Sequence, residues 1–365
     1  MAGAYISFPF CSQKCTYCNF ASGVFPRELA RRYLTAVRAE IEAHSWRWKP
    51  ETVYLGGGTP GDLDPADLAG LLAAVPGGPW TEATIEAAPG SIGAGKAREW
   101  RRLGINRVSL GVQSFVRREI ARTGRKHTAE IVEREVAVLR EAGIANFNID
   151  LIAGLPGQTP QTWRESLEWI ERLDTPHVSV YMLEIDEDSR LGREILRHGS
   201  RYGADEVPSE DAIAELYEAA VEFLRSIGLH RYEISNFARP GWESRHNLKY
   251  WWLEPYAGFG ADAHSFDGRT RWQNVETAAE YVSRIERGES PRLAESPADI
   301  ACERFYVGLR LAAGIRPPDE DRTRFSRPIR RFLDEGLLEA DGEILRLSDR
   351  GVLLSNEVFQ EFISA

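Results

Sequence analysis

From Ala4 to Met182 the chain alternates short strand-like runs with longer amphipathic stretches, and this alternation leaves few folds open. Ala4–Ser7, Val53–Leu55, Ala83–Ala87, Arg107–Val112, Phe147–Ile152 and Val178–Met182 read as strands. Between them, Pro26–Ser45, Pro65–Ala74, Lys96–Arg102, Ala129–Ala142 and Pro160–Leu173 read as helices. In the fourth helix Val132, Val136 and Leu139 recur at i, i+4 and i+7, the spacing of a core-facing stripe. Such units imply an α/β class with parallel strands and right-handed crossovers, as a barrel or an open doubly wound sheet. In either case functional groups gather at the carboxyl ends of the strands. The unusual residues fall there. A cysteine loop follows strand one, and Gly56-Gly-Gly-Thr-Pro60 follows strand two. Glu86 ends strand three, Gln113 ends strand four, and Asp150 lies in strand five ahead of Gly154-Leu-Pro-Gly157.

The loop reads Phe10-Cys-Ser-Gln-Lys-Cys-Thr-Tyr-Cys-Asn-Phe20, and Cys302 is the only cysteine besides Cys11, Cys15 and Cys18. Thiolates are soft ligands that suit iron–sulfur clusters or zinc. Both usually take four protein ligands, so three on one short loop leave a corner open to a small molecule. An odd trio cannot pair off as disulfides. Structural zinc would need a fourth Cys or His close by, and the nearest histidine, His44, falls in an expected helix. The spacing favours a [4Fe–4S] cluster over zinc or redox thiols, in a reducing, cytosolic setting.

Bulk properties narrow the function further. A length of 365 residues allows two or three domains, and 43% hydrophobic with 27% charged residues is ordinary globular composition. No apolar run approaches the roughly 20 residues of a membrane span. The first residues run into a strand and leave no room for a targeting segment, so a cytoplasmic location is expected. A net charge of −10 argues against nucleic acid as a partner. Ten tryptophans and twelve tyrosines hint at a flat aromatic ligand, although core packing accounts for most of them.

Past Met182 the pattern changes. Pro208–Ile227 reads as a helix with Ser209 as its N-cap, followed by an aromatic- and glycine-rich stretch from Tyr232 to Phe266. Residues 287–298 read as a linker. The tail shows a helix near Pro328–Glu335, a hairpin turning at Asp341-Gly342, and a last helix near Gly351–Phe362. This α+β arrangement resembles a winged helix, but its basic residues are interleaved with acids, which speaks against DNA reading. The expected division is a core over 1–230, an accessory region over 231–290 and a C-terminal domain over 298–365.

Gly56-Gly-Gly-Thr-Pro60 leaves main-chain groups unshielded, so a ligand can approach closely. Glu86 and Asp150 could bind an amine or a ribose hydroxyl, and Arg125 could pair bidentately with a carboxylate. Taken singly, each reads equally well as a structural ion pair.

CxxxCxxC without a fourth cysteine nearby is the signature of radical S-adenosylmethionine (SAM) proteins. The whole chain resembles the HemN/HemW family of that group: oxygen-independent coproporphyrinogen III dehydrogenases and their heme-chaperone relatives. The matching stretches are Tyr5-x-x-x-Pro-Phe-Cys-x-x-x-Cys-x-Tyr-Cys18, Leu55-Gly-Gly-Gly-Thr-Pro60 and Ser109-Leu-Gly-Val-Gln-Ser-Phe115. Asn148-Ile-Asp-Leu-Ile-x-Gly-Leu-Pro-Gly-Gln-Thr159 and Tyr232-Glu-Ile-Ser-Asn-Phe237 complete the set. The resemblance implies a partial (β/α)6 TIM-like barrel with the cluster on Cys11, Cys15 and Cys18. It also implies SAM contacts from Tyr5, Tyr17, Gly57, Gly58, Thr59, Glu86, Gln113, Arg125 and Asp150.

Three features bear on the branch. The dehydrogenases end the cluster motif in Cys-Gly-Cys, where this chain has Cys18-Asn19-Phe20, and they carry a long segment ahead of it. They also place a histidine two residues after the SAM-contacting tyrosine; Ser7 stands there, a departure from both branches. His246-Asn-Leu-Lys-Tyr-Trp251 matches the HNxxYW motif of the chaperone branch. An imidazole can ligate iron while Tyr250 and Trp251 cover a porphyrin face, so His246, Asn247, Tyr250 and Trp251 form the expected heme patch. His264, in Gly258-Phe-Gly-Ala-Asp-Ala-His-Ser265, is a second candidate ligand. The plain alternative is a histidine capping backbone groups beside packed aromatics. The resemblance implies a heme chaperone that uses the cluster and SAM and delivers heme to apo-hemoproteins, respiratory enzymes among the candidates. Peripheral contact with membrane proteins would accompany such delivery. The competing readings are radical oxidative decarboxylation of coproporphyrinogen III and another radical SAM reaction.

Overall fold

The computed structural model describes residues 2–363. Six parallel strands lie side by side in chain order. They are β1 (Gly3–Phe8), β2 (Thr52–Gly57), β3 (Glu82–Ala87), β4 (Arg107–Gln113), β5 (Asn146–Ala153) and β6 (His177–Met182). The order never reverses, so the sheet has no switch point of a doubly wound fold and curls as a partial barrel. The expected strands and intervening helices are present, their ends moved by at most two residues. One further helix, Arg117–Thr123, follows β4; Gly124 closes it in the left-handed region at φ 86°.

Alternate residues on a strand face opposite sides. On β4, Val108, Leu110 and Val112 are buried in the outer core under the helices. Arg107, Ser109, Gly111 and Gln113 line the interior cavity instead. On β5, Phe147, Ile149 and Leu151 pack outward, whereas Asn148 and Asp150 line the cavity. Closed (β/α)8 barrels fill their interiors with branched apolar side chains. This interior carries many polar side chains and holds a cavity of about 400 Å³.

The accessory residues extend the same sheet. Beyond β6 lie β8 (Asn236–Ala238) and then β7 (His230–Arg231), both antiparallel to their neighbours. On the other side β9 (Tyr256–Phe259) runs parallel to β1, and β10 (His264–Phe266), β11 (Thr270–Asn274) and β12 (Arg292–Pro297) continue antiparallel. The linker expected over 287–298 is therefore corrected: β12 is an edge strand, paired from Thr270↔Pro297 to Asn274↔Arg292. All its residues are exposed, so no apolar alternation marked it, and charges with a terminal proline are what an edge carries.

In the tail, β13 (Leu338–Asp341) and β14 (Ile344–Leu347) form the expected hairpin behind the helix Ser326–Asp334. The last helix, expected as one, is two: Asp349–Leu353, capped by Ser348, and Ser355–Ile363. Phe362 packs on Phe305, Phe325 and Phe332 with ring centroids 4.6, 5.7 and 6.2 Å away. No helix among the described residues is long and apolar enough to cross a membrane.

Tyr33, fully buried in the helix Arg27–Ala43, joins the two sides of β1. Its hydroxyl donates to Ser7 O at 2.9 Å and accepts from Ala261 N at 2.7 Å. Tyr33→Phe removes both bonds while leaving the ring. Urea unfolding should show a loss of about 1–3 kcal/mol; an unchanged midpoint would mean the bonds contribute nothing net.

Candidate functional site

The cysteine loop is held from several sides. Cys11 N donates to Gly23 O at 2.9 Å, Thr16 N to Thr123 O at 3.1 Å, and Leu191 N to Thr16 O at 2.8 Å. The glycine turn after β2 is stitched to the base of the loop: Gly58 N donates to Phe8 O at 2.7 Å and Thr59 N to Phe10 O at 2.9 Å. A Cβ on Gly58 would lie 2.5 Å from Phe10 O, so this close approach requires glycine.

Cys11, Cys15 and Cys18 are free, half-buried and share one wall of the cavity. Burial raises the Cys11 thiol pKa, while hydrogen bonds with Thr59 and Ser22 oppose the shift. Cys302 is remote: it lies buried in the tail, where its thiol donates to Phe362 O at 3.0 Å. Among the described residues no three His, Cys, Asp or Glu side chains converge as the ligands of one ion. A cuboidal cluster makes a different demand, one thiolate per iron, so its ligands need to share a wall rather than a point. Three thiols without a fourth fit such a cluster with one open iron.

Charged and polar side chains line much of the rest of the cavity. Glu86 accepts from the Tyr54 hydroxyl at 2.8 Å and from Gly57 N at 3.2 Å. Burial first, then the neighbouring Asp150, pushes its pKa up to about 7, although Tyr54 opposes this. Asp150 accepts from Asn148 Nδ2 at 2.7 Å and from the Ser109 hydroxyl at 3.3 Å, and burial raises its pKa as well. Arg125 donates to Gly111 O at 2.7 Å and faces Tyr17 and Cys15. Arg125 Nε and Gln113 Oε1 are buried without partners, and Gln113 is held at φ 72°. Strain and unpaired polar atoms beside a cavity mark a place built for a ligand.

Of the nine residues expected to contact SAM, Tyr17, Gly57, Gly58, Thr59, Glu86, Gln113, Arg125 and Asp150 line this cavity. Tyr5 stands behind the wall, stacked on the cavity-lining Tyr54 with centroids 6.1 Å apart. Sequence reasoning missed Tyr54, Arg107, Asn148, Ser179, Tyr181 and Asn236, which also line it. The signal was available for Tyr54 and Asn148, which stand two residues before Gly56 and Asp150 on their strands.

The expected heme patch is arranged differently. His246 is 1% exposed, with Nδ1 2.8 Å from Thr52 Oγ1 and Nε2 2.8 Å from the Tyr250 hydroxyl. Its ring packs between Tyr54 and Tyr250, centroids at 5.2 and 5.3 Å. The Glu82 carboxylate at the start of β3 accepts from Arg245 N and His246 N, both at 2.9 Å, and fixes the helix Arg245–Trp251 to the barrel. Both imidazole nitrogens are thus engaged, and in this arrangement neither is presented to iron. His246 here sits hydrogen-bonded beside packed aromatics. Trp251 carries the Arg310 guanidinium 4.6 Å over its ring, tying the motif to the tail. Only Asn247 of the four lines the cavity. His264 is exposed on β10 and does not line it.

Burial, aided by Lys249 and Arg107, pushes the His246 pKa from its ordinary 6.5 down to about 3. Between those values the unfolded chain binds this proton and the folded chain does not, so stability falls as pH drops below 6.5. At pH 5 the loss relative to neutral pH is about 2 kcal/mol from this group. Denaturant unfolding at pH 7 and pH 5 should show a smaller loss in His246→Gln than in the native chain. Equal losses would contradict the buried neutral state.

Residues 5–170 match the model of the Radical SAM superfamily, and residues 296–354 match that of the HemN C-terminal domain. Heme chaperone HemW of Bacillus subtilis (strain 168) is 34% identical, over 100% of this chain and 99% of its own length. Heme chaperone HemW of Escherichia coli (strain K12) is 33% identical, over 99% of this chain and 97% of its own. The solved coproporphyrinogen III oxidase (HemN) of Escherichia coli shares the fold, with a TM-score of 0.83 at 21% identity, covering 99% of this chain and 89% of that one. A radical SAM core, a HemN-type tail and full-length identity above 30% to HemW proteins place this chain in the HemW family.

Proposed function

We propose that this protein is a heme chaperone of the HemW type, which binds heme, holds a [4Fe–4S] cluster and SAM, and delivers heme to apo-hemoproteins. The observation that carries the reading is the cavity: three thiols without a fourth share one wall with eight further groups suited to an amino-acid nucleoside. Full-length similarity to HemW proteins, and Asn19-Phe20 where the dehydrogenases continue to another cysteine, support the chaperone over the dehydrogenase.

A cluster-bound SAM supplies one-electron chemistry at the open iron. The chain's own groups bind and orient. Arg125 is placed to pair with a carboxylate beside the cysteine loop, and main-chain groups of Gly57–Thr59 lie open to an amine. Glu86, with a pKa near 7, is balanced between its two states, so an incoming cation draws it to the carboxylate. Tyr54 and Gly57 N then stabilise that charge. Phe20 and Tyr181, 66% and 43% exposed, give the cavity an apolar edge suited to a tetrapyrrole. Three free thiols on a cluster loop fit the reducing cytoplasm, and the heme recipients we propose there are apo-hemoproteins, respiratory enzymes among them.

Of the two expected imidazoles only His264 is accessible, so we assign iron ligation to it and a supporting role to His246. The anaerobically reconstituted protein should bind heme with a Soret band, pass it to an added apo-hemoprotein, and leave coproporphyrinogen III unchanged. The band should shift in His264→Ala and persist in His246→Gln. Loss of the band in a folded His246→Gln would return the ligand to His246. Turnover of coproporphyrinogen III would overturn the chaperone reading.

A further inference from the structure

We propose that Arg107 anchors a second anion subsite on the floor of the cavity, for a ligand carboxylate other than the one held at Arg125. The inference deepens the proposed function and rests on it for the identity of the first ligand. Arg107 opens β4, is 1% exposed, and lines the cavity. Its Nε is buried without a partner, and no hydrogen bond or ion pair ties its guanidinium to a described residue. A buried guanidinium is ordinarily paired, because losing its hydration is costly. Its planar fork of N–H donors matches a carboxylate.

The titratable groups around it are engaged elsewhere. Glu86 and Asp150 feel its charge, yet their oxygens accept from Tyr54, Gly57, Asn148 and Ser109. Burial holds His177 and His246 neutral, and each has both ring nitrogens hydrogen-bonded. Lys249 is paired with Glu51 and Glu254. Arg107 therefore has no direct partner in a wall that also presents Asn236 and the Ser179 hydroxyl. Arg125, by contrast, already bonds Gly111 O and faces Tyr17 and Cys15. Gly111 lies four residues beyond Arg107 on β4, about 13 Å along the strand, so the two anchors serve different ends of the cavity.

A carboxylate for Arg107 has two sources: a propionate of the tetrapyrrole, or the amino-acid end of a second SAM molecule. The anaerobic holoprotein and its Arg107→Gln and Arg107→Lys variants would be titrated with heme and with heme dimethyl ester, whose propionates are masked. SAM stoichiometry would be measured in parallel by equilibrium dialysis. If the source is a propionate, the native protein favours heme over the ester by about tenfold or more, Arg107→Gln erases the preference, and Arg107→Lys keeps most of it. If the source is SAM, Arg107→Gln loses one SAM equivalent and the heme-to-ester ratio does not move. Apo Arg107→Gln should melt at or above the native temperature, since no internal bond is lost. Unchanged ratios and stoichiometry in Arg107→Gln overturn the subsite, as does a lower melting temperature with ligand binding intact. A native protein that binds no heme counts against the proposed function alone, and the SAM measurement still decides Arg107.

Discussion

The structure depends on an inversion of the usual barrel rule. Apolar residues of each parallel strand face outward under the helices, and the polar residues between them face inward. Polar groups removed from water must find partners, and most here do: Asp150 is held by Asn148 and Ser109, Glu86 by Tyr54 and Gly57 N. Such a network fixes the inner walls and keeps a cavity open that apolar packing would fill. The cysteine loop and glycine turn then close one end of it, tied through Phe8 O and Phe10 O.

The HNxxYW helix works at the opposite end. Glu82 holds its first turn, Thr52 and Tyr250 take both nitrogens of His246, and Arg310 reaches across from the tail to Trp251. The motif therefore joins barrel, accessory strands and tail. Its histidine is packed and hydrogen-bonded inside the fold, and the motif meets the cavity through Asn247, with Tyr54 beside it.

Much of this was legible in the chain, for definite reasons. Periods of two and of 3.6 residues located the barrel strands and helices, and the cysteine spacing pointed to a cluster before any geometry was known. The short helix Arg117–Thr123 escaped because a helix of that length carries too few turns to show a stripe. β12 escaped because both of its faces are exposed. Arg107 was passed over as a strand's first residue, although its position two before Ser109 and four before Gly111 put it on the inner face. The spacing of His246-Asn-Leu-Lys-Tyr-Trp251 shows which side chains share a helix face but not what covers that face. Burial by Thr52 and Tyr54, some 190 residues away in sequence, supplies the answer.

The central claim is that three thiols hold a cluster whose open iron faces a SAM-binding cavity. Electron paramagnetic resonance of the reduced, reconstituted protein, with and without SAM, tests it most directly. The account predicts a signal whose shape changes when SAM is added, in the native chain and equally in Cys302→Ser. A signal indifferent to SAM, or a cluster lost with Cys302, would contradict it.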